Sequence, residues 1–330
     1  MAHSLAPHAD QEPRTARRER IALAALGLAA VVAIALSLTV GLKGNLAFAL
    51  ELRTMRLAAL LQVGVAIAVS TVIFQTVTGN RILTPSLMGM DALYLLIQSV
   101  LVFTLGAVGF AALPSGLLFL GQATALALLA AVLFVPILAR RSDMVLLLLA
   151  GVVLGILFRS LTDLVARLID PNAFAVVQSA TFADFNTIDE TLIVPCVVVT
   201  VIGATLAWRS RHLLDVMALG EADAVGLGVA WRRAALGLVL LVGILVAVST
   251  ALVGPVALLG LLVVALAERI VGTTRHAVLL PAAALTAVVL LVGGQTILAH
   301  VFGNTLTLGI VIEFAGGLLF LLLLLSSRLR

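Results

Sequence analysis

The sequence predicts an all-α polytopic membrane protein, and three observations carry that prediction. Of the 330 residues, 62% are hydrophobic and only 11% are charged, where a soluble domain carries about 25% charged residues. The mean hydropathy is +1.25. The apolar residues fall into runs of about 20, the length at which a helix rising 1.5 Å per residue crosses a hydrocarbon layer of about 30 Å. So little polar surface could not cover a globule in water, whereas lipid tolerates it provided that every backbone group is bonded internally, as in a helix.

About ten such runs are predicted, over residues 21–40, 54–76, 86–106, 117–139, 144–167, 191–207, 234–252, 255–272, 277–301 and 305–325. They leave a polar tail over 1–20, one transmembrane domain over 21–330, and two longer polar stretches over 170–190 and 208–233. The first run follows Arg14, Arg17, Arg18 and Arg20. It exceeds the 7–15 apolar residues typical of a signal peptide and ends without a small-residue cleavage site, so it reads as a retained helix. If the spans alternate from a cytoplasmic N-terminus, the outer side receives only Lys43, Arg53, Arg56, Arg159 and Arg167, while roughly 15 of the 20 Lys and Arg residues fall inside. Positive residues concentrate on the cytoplasmic side, so both termini are expected there. Trp208 and Trp231 flank the 208–233 stretch and read as interfacial anchors.

Several classes of chemistry are disfavoured. The formal charge of +4 comes from residues at span ends, with no basic patch interleaved with aromatics, which argues against nucleic acid. Cys196 is the single cysteine, and His3, His8, His212, His276 and His300 are scattered as surface or interfacial residues without metal-ligand spacing, so no metal site and no cofactor are expected. No nucleophile–base pair stands out and no catalytic residue is assigned. The sequence lacks a GxxxxGK[ST] phosphate loop, so any ATP hydrolysis belongs to another subunit.

Other features point to translocation. Ala68-Val69-Ser70-Thr71 in the second run recurs as Ala247-Val248-Ser249-Thr250 in the seventh. Five spans apart, the copies run in opposite directions, as in inverted-repeat transporters. Breaks at Pro195, Gly254-Pro255 and Pro281 interrupt the spans; broken helices persist at membrane depth where protein or water covers the freed backbone. Asp91, Arg159, Asp163, Glu268 and Glu313 lie in or near apolar runs, and such residues usually face a bundle interior or a cavity. Asp163 and Arg167 are spaced to pair along one helix face. Glu313, near the middle of the tenth run, is a candidate to line a pathway.

Three ordered motifs carry a resemblance. The first is Arg53-Thr-Met-Arg56, then Gln75, then Asn80-Arg-Ile-Leu83-Thr-Pro85-Ser-Leu87-Met-Gly89. The second is Leu219-Gly220-Glu221-Ala222-Asp223-Ala224-Val225-Gly226-Leu227-Gly228-Val229, and the third is Gly254-Pro255 followed by Gly260-Leu261. In this order they resemble the FecCD family of ABC permeases, the importers of vitamin B12, haem and iron siderophores. Met55 and Arg81 replace two of the family's prolines, Val264-Ala265 its Pro-His pair, and Gly293-Gly294-Gln295 the region of a frequent Asp. With Leu93-Tyr94-Leu95 after Asp91, those departures are similar to the iron-siderophore branch, which works as a heterodimer of two permeases.

The resemblance implies a BtuC-like, type II importer permease in the cytoplasmic (inner) membrane. Its partners would be a second, different permease subunit, two ATP-binding subunits and an extracytoplasmic substrate-binding protein, with a ferric siderophore as substrate. Within 209–233, Leu219, Gly220, Glu221, Ala222, Gly226, Leu227 and Gly228 match two short helices and a glycine turn that dock on the ATPase. Arg53 and Arg56 match arginines that meet glutamates of the binding protein, and no counterpart of a further family arginine precedes the last span. Gln75, Asn80, Pro85, Gly89, Gly254 and Pro255 join Glu313 as pathway or gating candidates. Cobalamin or haem in the same transporter class stays open as a substrate, as does an ion-coupled secondary transporter, which would need several midplane carboxylates.

Overall fold

The computed structural model describes residues 12–41, 46–140, 144–186, 188–303 and 307–327. His3, His8, Lys43, Arg141, Arg328 and Arg330 lie outside the described residues. Among them every regular element is a helix: α1 (Glu12–Thr39), α2 (Leu46–Thr78), a 3-10 turn (Pro85–Met88), α3 (Met90–Ala111), α4 (Ser115–Arg140), α5 (Met144–Ala166), α6 (Pro171–Ser179), α7 (Glu190–Arg209), α8 (Arg211–Met217), α9 (Glu221–Gly226), α10 (Trp231–Val253), α11 (Leu259–Val271), α12 (His276–Val301) and α13 (Leu308–Ser327). Among the described residues, eight helices are long and apolar enough to cross a membrane, which makes this a multi-pass membrane protein. The tenth expected span corresponds to α13, with 20 residues. The eighth is shorter than expected. α11 has 13 residues, about 20 Å of helix, because residues 254–258 are not helical.

The third span also differs from its expected bounds. Residues 86–88 belong to the 3-10 turn, and the helix starts at Met90 and continues past Gly106, where φ of 70° and ψ of 170° kink it. The polar stretch 170–190 contains α6, whose nine residues are too few to give a readable period.

α2 and α10 form the centre. They pack on each other; α2 also meets α7, α11 and α12, and α10 meets α4 and α7. Both copies of the Ala-Val-Ser-Thr repeat lie in this interior, with Ser70, Thr71, Ser249 and Thr250 buried. Helix association in lipid has little hydrophobic driving force and relies on close packing of small residues. A Cβ on Gly243 would stand 2.6 Å from that of Ala130, and one on Gly203 would stand 2.6 Å from Leu245. A buried polar cluster also joins the central helices: Gln62 Nε2 donates to Thr200 Oγ1 at 3.0 Å and to Ser249 Oγ at 3.4 Å, linking α2, α7 and α10.

Trp231 corrects an expectation. It is 6% exposed and belongs to the buried core at the end where α9 packs on α10, so it serves as core and not as an interfacial anchor. Trp208 is exposed and carries the Arg211 guanidinium 4.8 Å above its ring, a cation–π contact. The helical pair Asp163 and Arg167 also departs from its expectation. α5 ends at Ala166, the Arg167 N–H turns back to Asp163 O and Leu164 O, and no ion pair joins the two side chains among the described residues.

Candidate functional site

The segment leaving α2 is built by its own motif residues. Gln75 Nε2 donates to Arg81 O at 2.7 Å, closing the turn against the last helical turn. Asn80 Oδ1 accepts the Ile82 N–H at 3.0 Å, a side-chain turn that replaces a backbone bond. Pro85 then opens the 3-10 turn, and Gly89 ends it at φ 83°, a left-handed value that glycine adopts without strain. Gly89 also touches α5: an added Cβ would meet Gly155 Cα and N at 3.0 Å, and Met88 lies as close to Gly151. Non-helical backbone is thereby seated on α5.

The second break follows α10. Gly254 has φ 92° and, like Pro255, is buried. It is held from outside its own segment. The Asp184 N–H donates to Val253 O at 2.8 Å, and Ala180, Phe182 and Ala183 lie against Gly254. From α13, Gly309 packs on Ala183 and Gly316 on Leu258 so closely that a Cβ on Gly316 would fall 2.5 Å from Leu258 Cβ. Gly260, the second glycine of this motif, leaves room for Thr71 of the repeat, whose Oγ1 would be 2.1 Å from an added Cβ.

Between these breaks lies a cavity of about 510 Å³, lined by Asp91, Arg159, Asp163, Pro255 and Glu313 among others. Four of the five ionisable residues expected in or near spans thus converge from α3, α5 and α13. Asp91 is buried, and its Oδ1 has no hydrogen-bond partner among the described residues. The fifth, Glu268, sits elsewhere, where its Oε2 accepts from Arg81 Nη1 at 3.1 Å. The cavity gathers charge without gathering a metal set, and no cluster of metal-ligating side chains occurs among the described residues.

At one end, α8 and α9 make a helical hairpin that turns at Gly220 (φ 100°) and leaves at Gly228 (φ 87°). The helix pair spans 211–226, so its first helix precedes the 219–229 motif instead of lying inside it. Leu219, Val225 and Leu227 are more than half exposed, and Glu221, Ala222, Gly226 and Gly228 are exposed beside them. An apolar, acidic-edged surface on a polar end is the kind that a partner covers.

At the opposite end, Arg53 Nη1 donates to Ser37 O at 3.0 Å and to Val40 O at 2.7 Å, satisfying carbonyls left open where α1 stops. His300 Nε2 lies 2.9 Å from the same Val40 oxygen. Arg53, Arg56 and His300 line a cavity of about 210 Å³ there, so one of the two expected docking arginines already has a partner within the chain. Also at this end, Asp189 caps α7, accepting the Thr191 N–H at 2.9 Å and a hydrogen bond from Ser115 Oγ. Those hydrogen bonds, Ser115 first and then Thr191, hold its carboxyl below the usual aspartate range. His276, expected at a surface, is 2% exposed; its ring hydrogen-bonds to an aspartate 61 residues earlier, which no local pattern signals.

The chain was compared with known proteins. Residues 20–326 match the family model described as the FecCD transport family. The petrobactin import system permease protein YclO of Bacillus subtilis (strain 168) is 40% identical over 312 residues, covering 94% of this chain and 99% of that protein. The petrobactin import system permease protein FatC of Bacillus anthracis is 30% identical over 280 residues, 84% and 78% of the respective chains. Among solved structures, a metal-chelate type ABC transporter in an inward-facing conformation superposes with a TM-score of 0.78 at 21% identity, covering 93% of this chain and 99% of that one. PsaBC from Streptococcus pneumoniae, solved with a Fab, gives a TM-score of 0.53 at 16% identity over 82% and 90%. These two share the fold. The matched span, together with the motifs that seat both helix breaks, shows that this chain belongs to the FecCD transport family.

Proposed function

We propose that this chain is the permease subunit of an ABC importer that carries a ferric siderophore of the petrobactin class across the cytoplasmic membrane. The observation that carries the reading is the 40% identity to a petrobactin import permease over 99% of that protein's length. In this reading the polar α8–α9 end and both termini are cytoplasmic, in keeping with the Lys and Arg distribution. Of the two ATP-binding subunits, one docks on the exposed face of Leu219, Val225 and Leu227 and the other on the second permease, and 209–233 is the coupling loop of this chain. A second permease, of different sequence, completes the pathway.

A substrate-binding protein delivers the chelate at the opposite end, where Arg53 and Arg56 frame a cavity; charge pairing there would steer docking and fix its register. Arg53 is tied to α1, so docking on it also bears on the α1–α2 junction. The cavity lined by Asp91, Arg159, Pro255 and Glu313 is the stretch of pathway contributed by this subunit, with Gln75, Asn80, Pro85, Gly89 and Gly254 shaping the backbone breaks beside it. Alternating access then follows from closure of the ATPases, a ligand-driven bias on a two-state element.

The test is uptake of radio-labelled iron, supplied as several siderophore chelates, in cells with and without the gene and before and after ATP depletion. ATP-dependent uptake of one chelate class that disappears with the gene is expected. Unchanged iron uptake rejects the iron reading, and labelled cobalamin and haem in the same assay then decide between the remaining substrates of the class.

A further inference from the structure

A buried link joins the α8–α9 hairpin to the centre of the bundle. Asp215 lies in the middle of α8. Its Oδ1 accepts two hydrogen bonds from the first residue of α12: the His276 backbone N–H at 2.8 Å and the His276 Nδ1–H at 2.7 Å. The residue at the N-cap of α12, Arg275, makes no side-chain capping bond. The first N–H groups of a helix lack intrahelical partners and attract negative charge, so α8 supplies the cap that α12 does not supply for itself. The other ring nitrogen, Nε2, lies 2.7 Å from Thr76 Oγ1 in the last turn of α2. The Thr76 hydroxyl has one proton and two acceptors in reach, His276 Nε2 and Val72 O at 2.8 Å. The imidazole is 3% exposed.

One side chain therefore clamps α8 to the start of α12 and to the end of α2, the helix with the largest buried share among the membrane-crossing ones. A second tie lies beside it: Arg81, from the segment after α2, reaches Glu268 of α11. Both ties border a cavity of about 450 Å³ between α8 and the bundle. Nothing comparable joins α9 to the bundle among the described residues; α9 buries only Ala224. A displacement of α8 cannot leave α2 and α12 in place without breaking these bonds. Packed elements with two discrete arrangements carry this kind of coupling.

We infer that Asp215 and His276 are the positioning pair through which movement of the α8–α9 hairpin reaches α12 and α2, and so couples ATP hydrolysis to opening of the pathway. The inference rests on the proposed ABC importer reading. It is tested with the purified full complex in proteoliposomes, loaded with binding protein and labelled chelate, by measuring chelate imported per ATP hydrolysed. Asp215→Ala and His276→Ala are each expected to lower that ratio by about 10-fold, within the range usual for coupling between sites. The double variant is expected to lose no more than either single one, because both remove the same link. Asp215→Asn, which keeps an acceptor oxygen for the His276 N–H, is expected to retain more of the ratio than Asp215→Ala. An unchanged ratio in the singles, or additive losses in the double, overturns the pair.

If the alanine variants fail to assemble, Thr76→Val, which removes only the α2 end of the link, is expected to lower the ratio, and an unchanged ratio overturns the link to α2. If the wild-type complex imports no ferric chelate, the substrate reading fails by itself. The link is then read from spin labels at the exposed positions 108 and 301. ATP is expected to change their separation in the wild type and not in Asp215→Ala, and an equal change in both overturns the inference.

Discussion

The two helix breaks are held in different ways. The break after α2 is shaped first by its own segment: Gln75 bonds to Arg81, Asn80 to Ile82 and Pro85 opens the 3-10 turn, while Met88 and Gly89 rest on α5 and Arg81 reaches Glu268 of α11. The break after α10 is fixed from elsewhere: the 180–184 segment and α13 close on Gly254 and Leu258. The first is therefore a local device whose residues lie close together in sequence. The second is a tertiary device, and it disappears when either neighbour moves.

Substitutions at the two breaks probe the contrast, and thermal unfolding of the purified protein in detergent reads each of them. Gly89→Ala has the largest expected effect, because left-handed backbone strain of about 1–2 kcal/mol adds to overpacking of about 1–3 kcal/mol against the α5 backbone. Gly254→Ala meets no contact closer than 3.5 Å, so its loss is confined to backbone strain of about 1–3 kcal/mol; equal losses at both glycines would erase the distinction. Gln75→Leu leaves the Arg81 carbonyl without its side-chain donor, for a loss of about 1 kcal/mol, and a neutral result would mean that the first break does not depend on its own residues.

The smallest effect is expected for Asp189→Ala, which loosens the chain between the 180–184 support and α7. The folded carboxyl titrates below the ordinary aspartate value of 3.8. Its stabilisation is therefore present above that pH and is lost as pH falls through the depressed folded value. The gap between variant and wild type should persist at neutral pH and close on acidification below about pH 4; a gap that is constant with pH would show that the charge of Asp189 plays no part.

The same contrast explains what the sequence disclosed. The long spans are legible because apolar length suffices to identify them, whereas the first break is legible only in part: Asn80 and Pro85 fall in the gap between two runs, but residues 86–89 read as the start of the third span and prove to be the 3-10 turn and its closing glycine. At the second break Gly254-Pro255 was visible, but its supports were not, so the eighth span was read as a full crossing when α11 has only 13 residues. Trp231 and His276 were placed at surfaces for the same reason. Each occupies a span end, where exposure is the rule, yet both are interior: Asp215 of α8 meets His276 at the start of α12, and α9 packs on α10. The gathering of Asp91, Arg159, Asp163 and Glu313 around one cavity was likewise beyond a linear reading, since each alone was just a polar residue in an apolar run.

The central claim is that the chain works as the membrane part of an ATP-driven importer of ferric siderophore. The most direct measurement is import of labelled ferric petrobactin into proteoliposomes containing this chain with its partner permease and ATPase subunits, with the binding protein and chelate on the side opposite the ATPases. Import is expected to require ATP, the ATPase subunits and the binding protein together. Import that proceeds without the ATPase and follows an imposed proton or sodium gradient would contradict it and place the chain among ion-coupled transporters.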